Sequence, residues 1–138
     1  MNLDTLLRKL PDLQINESAL EEVLSYTEKT IGTRFPDEYR VLMRYTNGVE
    51  GPLPNGRYLA LWRVEELIPF NEGYLGSEFA AGLFLFGSNG GGTGYAFDLR
   101  TTPITIVDFP LVSVSDSDIN TNVNLLFQFI LDLGTSPF

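Results

Sequence analysis

Five of the chain's 13 glycines fall between Gly87 and Gly94, within the stretch FGSNGGGTGYAFDLR that runs from Phe86 to Arg100. A loop this rich in glycine can cradle a phosphate, so the requirements of that chemistry decide how to read it. A Walker-type loop needs a lysine and a hydroxyl after its last glycine, the lysine to answer the phosphate charge and the hydroxyl to hold magnesium. Gly92 is followed by Thr93 and Gly94, with no lysine. A dinucleotide fingerprint needs glycines at the first, third and sixth positions, and counted from Gly90 the sixth is Tyr95. Neither pattern opens on a helix here: LFLF precedes the glycines, and Tyr95, Phe97 and Leu99 alternate with Ala96 and Asp98 after them, which is strand period. Asn-Gly and Gly-Gly steps supply the positive φ angles of tight turns, so the segment is read as a hairpin connection that binds no nucleotide. Alanine at Gly91 or Gly92 would then cost about 1 kcal/mol or more wherever the native φ is positive.

The remaining candidates are carboxylates, because the chain contains no histidine and no cysteine. That excludes zinc sites of the usual kind, Ser-His and Cys-His nucleophile pairs, and an imidazole base. Asp116, Asp118 and Asn120 have the alternate spacing of a calcium loop, but Thr121 stands where that loop needs glycine and Phe127 where it needs glutamate. Glu65 and Glu66 are neighbours on a helix, where they point about 100° apart and serve a helix N-terminus better than a shared substrate atom. An acid–base enzyme built on Asp98 or Glu66 would need a raised carboxylate pKa in a dry pocket. No residue pattern here calls for a metal or a cofactor, and a protein-binding role is favoured over such an enzyme.

Charge offers a different chemistry. The formal net charge is −9, and it is unevenly spread: residues 1–63 carry nine acids and eight bases, residues 64–138 nine acids against Arg100 alone. Such a surface repels phosphates, which argues against direct nucleic-acid binding, and it attracts a basic protein. General solubility is the competing account, but solubility requires no segregation along the chain. The expected partner-binding residues are Glu65, Glu66, Glu72, Glu78, Asp116 and Asp118, with Trp62, the single tryptophan, as an apolar anchor beside them.

The elements that must position these residues form one α+β domain. At 138 residues and 43% hydrophobic content, the chain can bury a single sizeable core. Asp4, Arg8 and Lys9 interrupt the N-terminus where a secretory signal would be apolar, and no stretch is long enough to span a bilayer. A cytoplasmic location is expected, with no membrane contact, and the absence of cysteine fits a reducing compartment.

LDTLLRKL is a short amphipathic start. A helix over 17–31 follows, with Ser18 and Glu21 spaced as a capping box and Gly32 as its stop. Another over 36–46 has Pro36 at its start, Asp37 and Glu38 in its first turn, Arg44 in its last and Gly48 just beyond. Strands are expected near 57–63, 83–86, 95–99 and 104–107, with VSV at 112–114 a further candidate. VEELIPFNEGYL reads as a helical turn or two broken by Pro69. The last helix, over 121–132, is apolar except for Asn124, Gln128 and Asp132, so it must be buried against the sheet.

The order of these motifs resembles the SUKH superfamily, in its Smi/Knr branch. The resemblance covers roughly residues 17–133 and rests on RFPDEYRVLMRYTNGVEG, LALWRVEELIPFNEGY and LFLFGSNGGGTGYAFDLR in register. Matching positions are Pro36, Tyr39, Asn47 and Gly48; then Leu61, Trp62 and Glu66; then Gly87, Gly91, Tyr95, Phe97 and Asp98. The resemblance implies a mixed, mostly antiparallel sheet packed by helices. It also implies a non-enzymatic role, either immunity through neutralising a cognate toxin domain, often a nuclease, or regulation of cell-wall assembly through protein contacts.

Overall fold

The computed structural model of the chain describes residues 1–75, 82–112, 118–122 and 125–137. Three helices come first, α1 (Leu3–Lys9), α2 (Glu21–Ile31) and α3 (Asp37–Tyr45). Local signals set most of their ends. The Asn2 side chain accepts from the Thr5 amide at 2.9 Å and caps α1. Gly32 closes α2 with φ 80°, the left-handed conformation that costs glycine nothing. In α3 the first-turn acids and Arg44 in the last turn sit at the ends their charges favour.

The start of α2 departs from expectation, since it begins at Glu21 and the Ser18–Glu21 capping box does not form. Residues 17–20 are instead docked on the end of α3: Ala19 N–H donates to Met43 O at 2.8 Å and Asn47 N–H to Glu17 O at 2.7 Å. Long-range backbone bonds thus displace a local cap. Glu21 turns to Arg40, 2.7 Å away, which also bonds Glu28 at 2.9 Å and so staples α3 to α2. Burial pushes the Glu28 carboxyl up, but Arg40 and the Phe35 amide together outweigh it and hold the group below its ordinary value.

Seven strands lie side by side in chain order: β1 (Gln14–Ile15), β2 (Val49–Pro52), β3 (Tyr58–Leu61), β4 (Leu83–Ser88), β5 (Thr93–Asp98), β6 (Thr105–Pro110) and β7 (Asn120–Thr121). Every described pairing is antiparallel, with no parallel pair of the kind a mixed sheet requires. At β2–β3, β4–β5 and β5–β6 the connections are too short for the crossover that parallel pairing needs. Strands β1 and β7 escaped the sequence reading because two residues are too few to display alternation, and β2 because Gly51 and Pro52 give its second half the look of a turn. Of the VSV candidate, Val112 lies in a turn, and Ser113 and Val114 fall outside the described residues.

The glycine stretch is the β4–β5 turn. Three of its N–H groups are occupied by side chains of the turn itself: Ser88 Oγ accepts from Gly90 at 3.1 Å, and Asn89 Oδ1 accepts from Gly91 at 2.9 Å and Thr93 at 3.2 Å. Within the turn only Gly90 has positive φ. Gly91 and Gly92 therefore do not carry the alanine penalty that a positive φ would bring.

Two further helices follow among the described residues, α4 (Val64–Tyr74) and α5 (Leu126–Thr135). α4 runs unbroken through Pro69. The carbonyl that loses its donor there belongs to Glu65, and both residues are exposed, so water can serve it. α5 starts at Leu126, five residues later than expected, because Asn120 and Thr121 are held extended in β7. Its N-terminus is capped from a distance, Phe127 N–H donating to Glu38 Oε1 of α3 at 2.9 Å.

Alternation sends β4, β5 and β6 side chains to two cores. Phe84, Phe86, Phe97 and Ile106 meet Leu24, Phe35, Tyr39, Leu42 and Ile130 from the helices. Leu83, Leu85, Ala96, Val107 and Phe109 form the second cluster with Leu75. Both faces are covered, so the central strands are continuously apolar.

Tyr39 sits among Phe35, Phe97 and Phe86 at ring separations of 4.7, 5.2 and 6.0 Å. Its buried hydroxyl has no hydrogen-bond partner among the described residues, and burial pushes its pKa well up. Tyr39→Phe removes an unsatisfied donor while keeping the ring, and is expected to stabilise the protein by about 1 kcal/mol in urea denaturation. A destabilised variant would show that the hydroxyl is bonded in solution.

Candidate partner-binding face

α4 buries Val64, Leu67 and Asn71, spaced as one face of a helix, and Leu75, just past its end, continues that face. Asn71 is the polar member of that face, and it fastens α4 to the sheet. β3 pairs with β4 only at Ala60↔Ser88 and Leu61↔Gly87; Trp62 N–H then reaches Phe86 O at 3.1 Å, and the chain turns away into α4. The β4 edge left open at Leu85 is closed by Asn71, whose Nδ2 donates to Leu85 O at 2.9 Å and whose Oδ1 accepts from Leu85 N–H at 2.6 Å. A third bond, from Nδ2 to Leu67 O at 2.8 Å, fixes the amide against its own helix. Asn71 escaped the sequence reading because its partners come from a strand that no local pattern links to it.

The outer side of α4 carries the remaining chemistry. Helical period places Glu66, Phe70 and Tyr74 in one stripe and Glu65 and Glu72 in the next. Trp62, half-buried, packs against Phe70 at 4.8 Å and lies nearly parallel to Tyr74 at 6.1 Å. Tyr74 itself is 50% exposed. No lysine or arginine occurs between Val64 and Tyr74. The result is an aromatic ridge bordered by carboxylates, with its inner edge anchored in the core through Trp62.

Glu65 and Glu66 have distinct attachments. Glu66 Oε1 accepts from Arg63 N–H at 3.2 Å and closes the first turn of α4. Glu65 is oriented from outside the helix by Asn47, whose Nδ2 lies 2.9 and 3.3 Å from the two carboxylate oxygens. Asn47 is nearly buried and held on its other sides: Oδ1 accepts from Val64 N–H at 2.9 Å, and its carbonyl accepts from Asn16 Nδ2 at 3.0 Å. With the bond to Glu17 already described, Asn47 ties the approach to α2 to the start of α4. Between them lies a cavity of about 320 Å³ lined by Glu17, Ser18, Leu20, Val23, Asn47, Arg63 and Glu65.

The structure thus brings Trp62, Glu65, Glu66 and Glu72 together. It places Asp118 elsewhere, just before β7, three strand spacings or about 14 Å from β4. Glu78 and Asp116 lie outside the described residues. Other second-half acids serve local structure. Asp98 is bonded by Arg100 at 2.9 Å, and that hydrogen bond holds its carboxyl below the ordinary range, opposite to what a general acid needs. Asp108 accepts from Asn120 at 3.1 Å and Asn122 at 2.7 Å. Among the described residues no helix is long and apolar enough to cross a membrane.

A sequence model of the SMI1 / KNR4 family (SUKH-1) matches residues 18–122, from the approach to α2 through β7. No curated protein matches the chain.

Proposed function

The chain belongs to the SMI1 / KNR4 family (SUKH-1), and from that premise we propose that it is a non-enzymatic immunity protein acting in the cytoplasm. It binds and neutralises a basic, nuclease-type toxin domain through the outer face of α4. The observation that carries this reading is the Trp62–Phe70–Tyr74 ridge flanked by Glu65, Glu66 and Glu72, on a helix without a single cation. A nuclease must gather phosphate and so presents positive charge. An acidic face steers towards that charge, raising association rates roughly ten- to a thousandfold at low salt. Affinity then comes from a few aromatic anchors that lose their water on contact.

The test uses a partner purified on the chain from a native lysate, whose toxicity to unprotected cells is checked first. Glu72→Lys alters an exposed side chain at the C-terminal end of α4 and should leave stability within about 0.5 kcal/mol, while Tyr74→Ala also gives up ring contacts with Trp62 and Phe70 and should cost about 1 kcal/mol, leaving the fold intact. Glu72→Lys is expected to slow association severalfold and flatten its salt dependence, and Tyr74→Ala to weaken binding about tenfold through faster dissociation. Unchanged rates in both variants would place the contact off α4. A partner that harms no cell would assign the chain to the regulatory side of its family.

A further inference from the structure

We infer that the notch between the start of α2 and the start of α4 receives one arginine or lysine side chain of the protein partner. The inference rests on the α4 reading and adds to it a specific point of recognition. Its first support is shape. The notch encloses about 320 Å³ and is open to solvent along Leu20, an aliphatic residue left 58% exposed. Leu20 and half-buried Val23 supply an apolar wall on α2, against which the methylene stem of a basic side chain can lie while its head reaches past them.

The second support is charge. Two acidic residues, Glu17 and Glu65, line the notch beside one basic residue, Arg63, whose Nη1 makes only a long ion pair with Glu65 at 4.0 Å. The bond that does hold Glu65 comes from the neutral Asn47 amide, which orients the carboxylate without cancelling its charge. In a chain of net charge −9, such a group attracts a cation and repels an acid.

The third support is preorganisation. An exposed carboxylate ordinarily gives up rotamer freedom when it forms an ion pair, which is why surface pairs contribute little. Glu65 has already given up that freedom, because Asn47 is clamped by Val64 N–H at 2.9 Å, by Asn16 at 3.0 Å and by the Glu17 carbonyl at 2.7 Å. A guanidinium or ammonium arriving over Leu20 meets a carboxylate fixed in place, with lone pairs left for charge-assisted bonds.

The full chain can be titrated with N-acetyl-arginine methylamide and followed by two-dimensional amide NMR, with the uncharged citrulline analogue as control. Saturable shifts are expected at the Asn47 side-chain amide and at Leu20, Val64 and Glu65, with the citrulline compound silent. Glu65→Gln should weaken the response about tenfold while the rest of the spectrum stays in place. The inference is overturned if those signals do not move, if both compounds move them equally, or if Glu65→Gln responds like the parent. It also falls if N-acetyl-aspartate methylamide moves them instead, since Arg63 would then be the recognising group. The outcome is independent of the α4 test: a silent notch with Tyr74→Ala still impaired removes the notch alone, whereas a responsive notch with Glu72→Lys and Tyr74→Ala unimpaired removes the α4 reading.

Discussion

Gly48→Ala is expected to lower stability by about 3 kcal/mol or more, and with it the melting temperature by about 10 °C. Two effects combine. Gly48 has φ 85°, where an L-residue with a β-carbon costs about 1–2 kcal/mol. A Cβ placed there would also lie 2.5 Å from the Leu61 carbonyl oxygen and 3.1 Å from the Trp62 carbonyl carbon. Those are backbone atoms in the last residue of β3 and the turn into α4, so no side chain can swing aside to make room. Relief requires β2 and β3 to part where Val49 pairs with Leu61. Gly92→Ala is the control, since a Cβ there meets nothing within 4 Å and φ is not positive; it should stay within about 0.5 kcal/mol. Urea denaturation of the two variants side by side decides the matter, and equal stability would mean that the close approach at Gly48 is relaxed in solution.

What could be read from the sequence follows the range over which each interaction acts. Gly32 and the charged ends of α3 depend on residues within one helical turn, and both were legible. The β4–β5 hairpin was legible too, because missing lysine and strand alternation are local facts. The start of α2 was misread because Ser18 and Glu21 have the spacing of a box, yet Ala19 and Glu17 bond residues 24 and 30 positions away in Met43 and Asn47. The start of α5 was misread for a similar reason, since its cap, Glu38, belongs to α3. Pro69 was read as a break, although Asn71 and the buried face of α4 hold the helix through it. Charge asymmetry along the chain was only partly a guide to space. It located Glu65, Glu66 and Glu72, which share α4, but Asp118 folds to the far edge of the sheet and Asp98 is neutralised by Arg100 two residues on. Asn47 marked the end of a helix in sequence; its work on Val64 and Glu65 became visible only once the fold set them side by side.

Asn71→Ala is expected to be at least as damaging as Gly48→Ala, at about 3–5 kcal/mol, and to weaken partner binding as well. The side chain is fully buried, and its loss orphans both the N–H and the C=O of Leu85 in the middle of a core strand. Each unsatisfied buried group costs about 1–3 kcal/mol. The Leu67 carbonyl suffers less, because it keeps its own helical bond. Asn71→Asp separates hydrogen bonding from volume. The aspartate can still accept from Leu85 N–H, but its second oxygen would face the carbonyls of Leu67 and Leu85, so a size-preserving change should be no milder than alanine. Loss of the clamp would also let α4 draw away from β4, carrying Phe70 and Tyr74 away from Trp62, whose backbone N–H is held by Phe86 of β4. Hydrogen exchange at the Leu85 amide reads this directly: protection there should fall further in Asn71→Ala than at Phe97, which pairs with Phe84 on the side of β4 facing β5. If Leu85 stays as protected as in the parent and stability changes by less than about 1 kcal/mol, Asn71 is not what holds α4 to the sheet, and the rigidity of the acidic face must come from its apolar contacts alone.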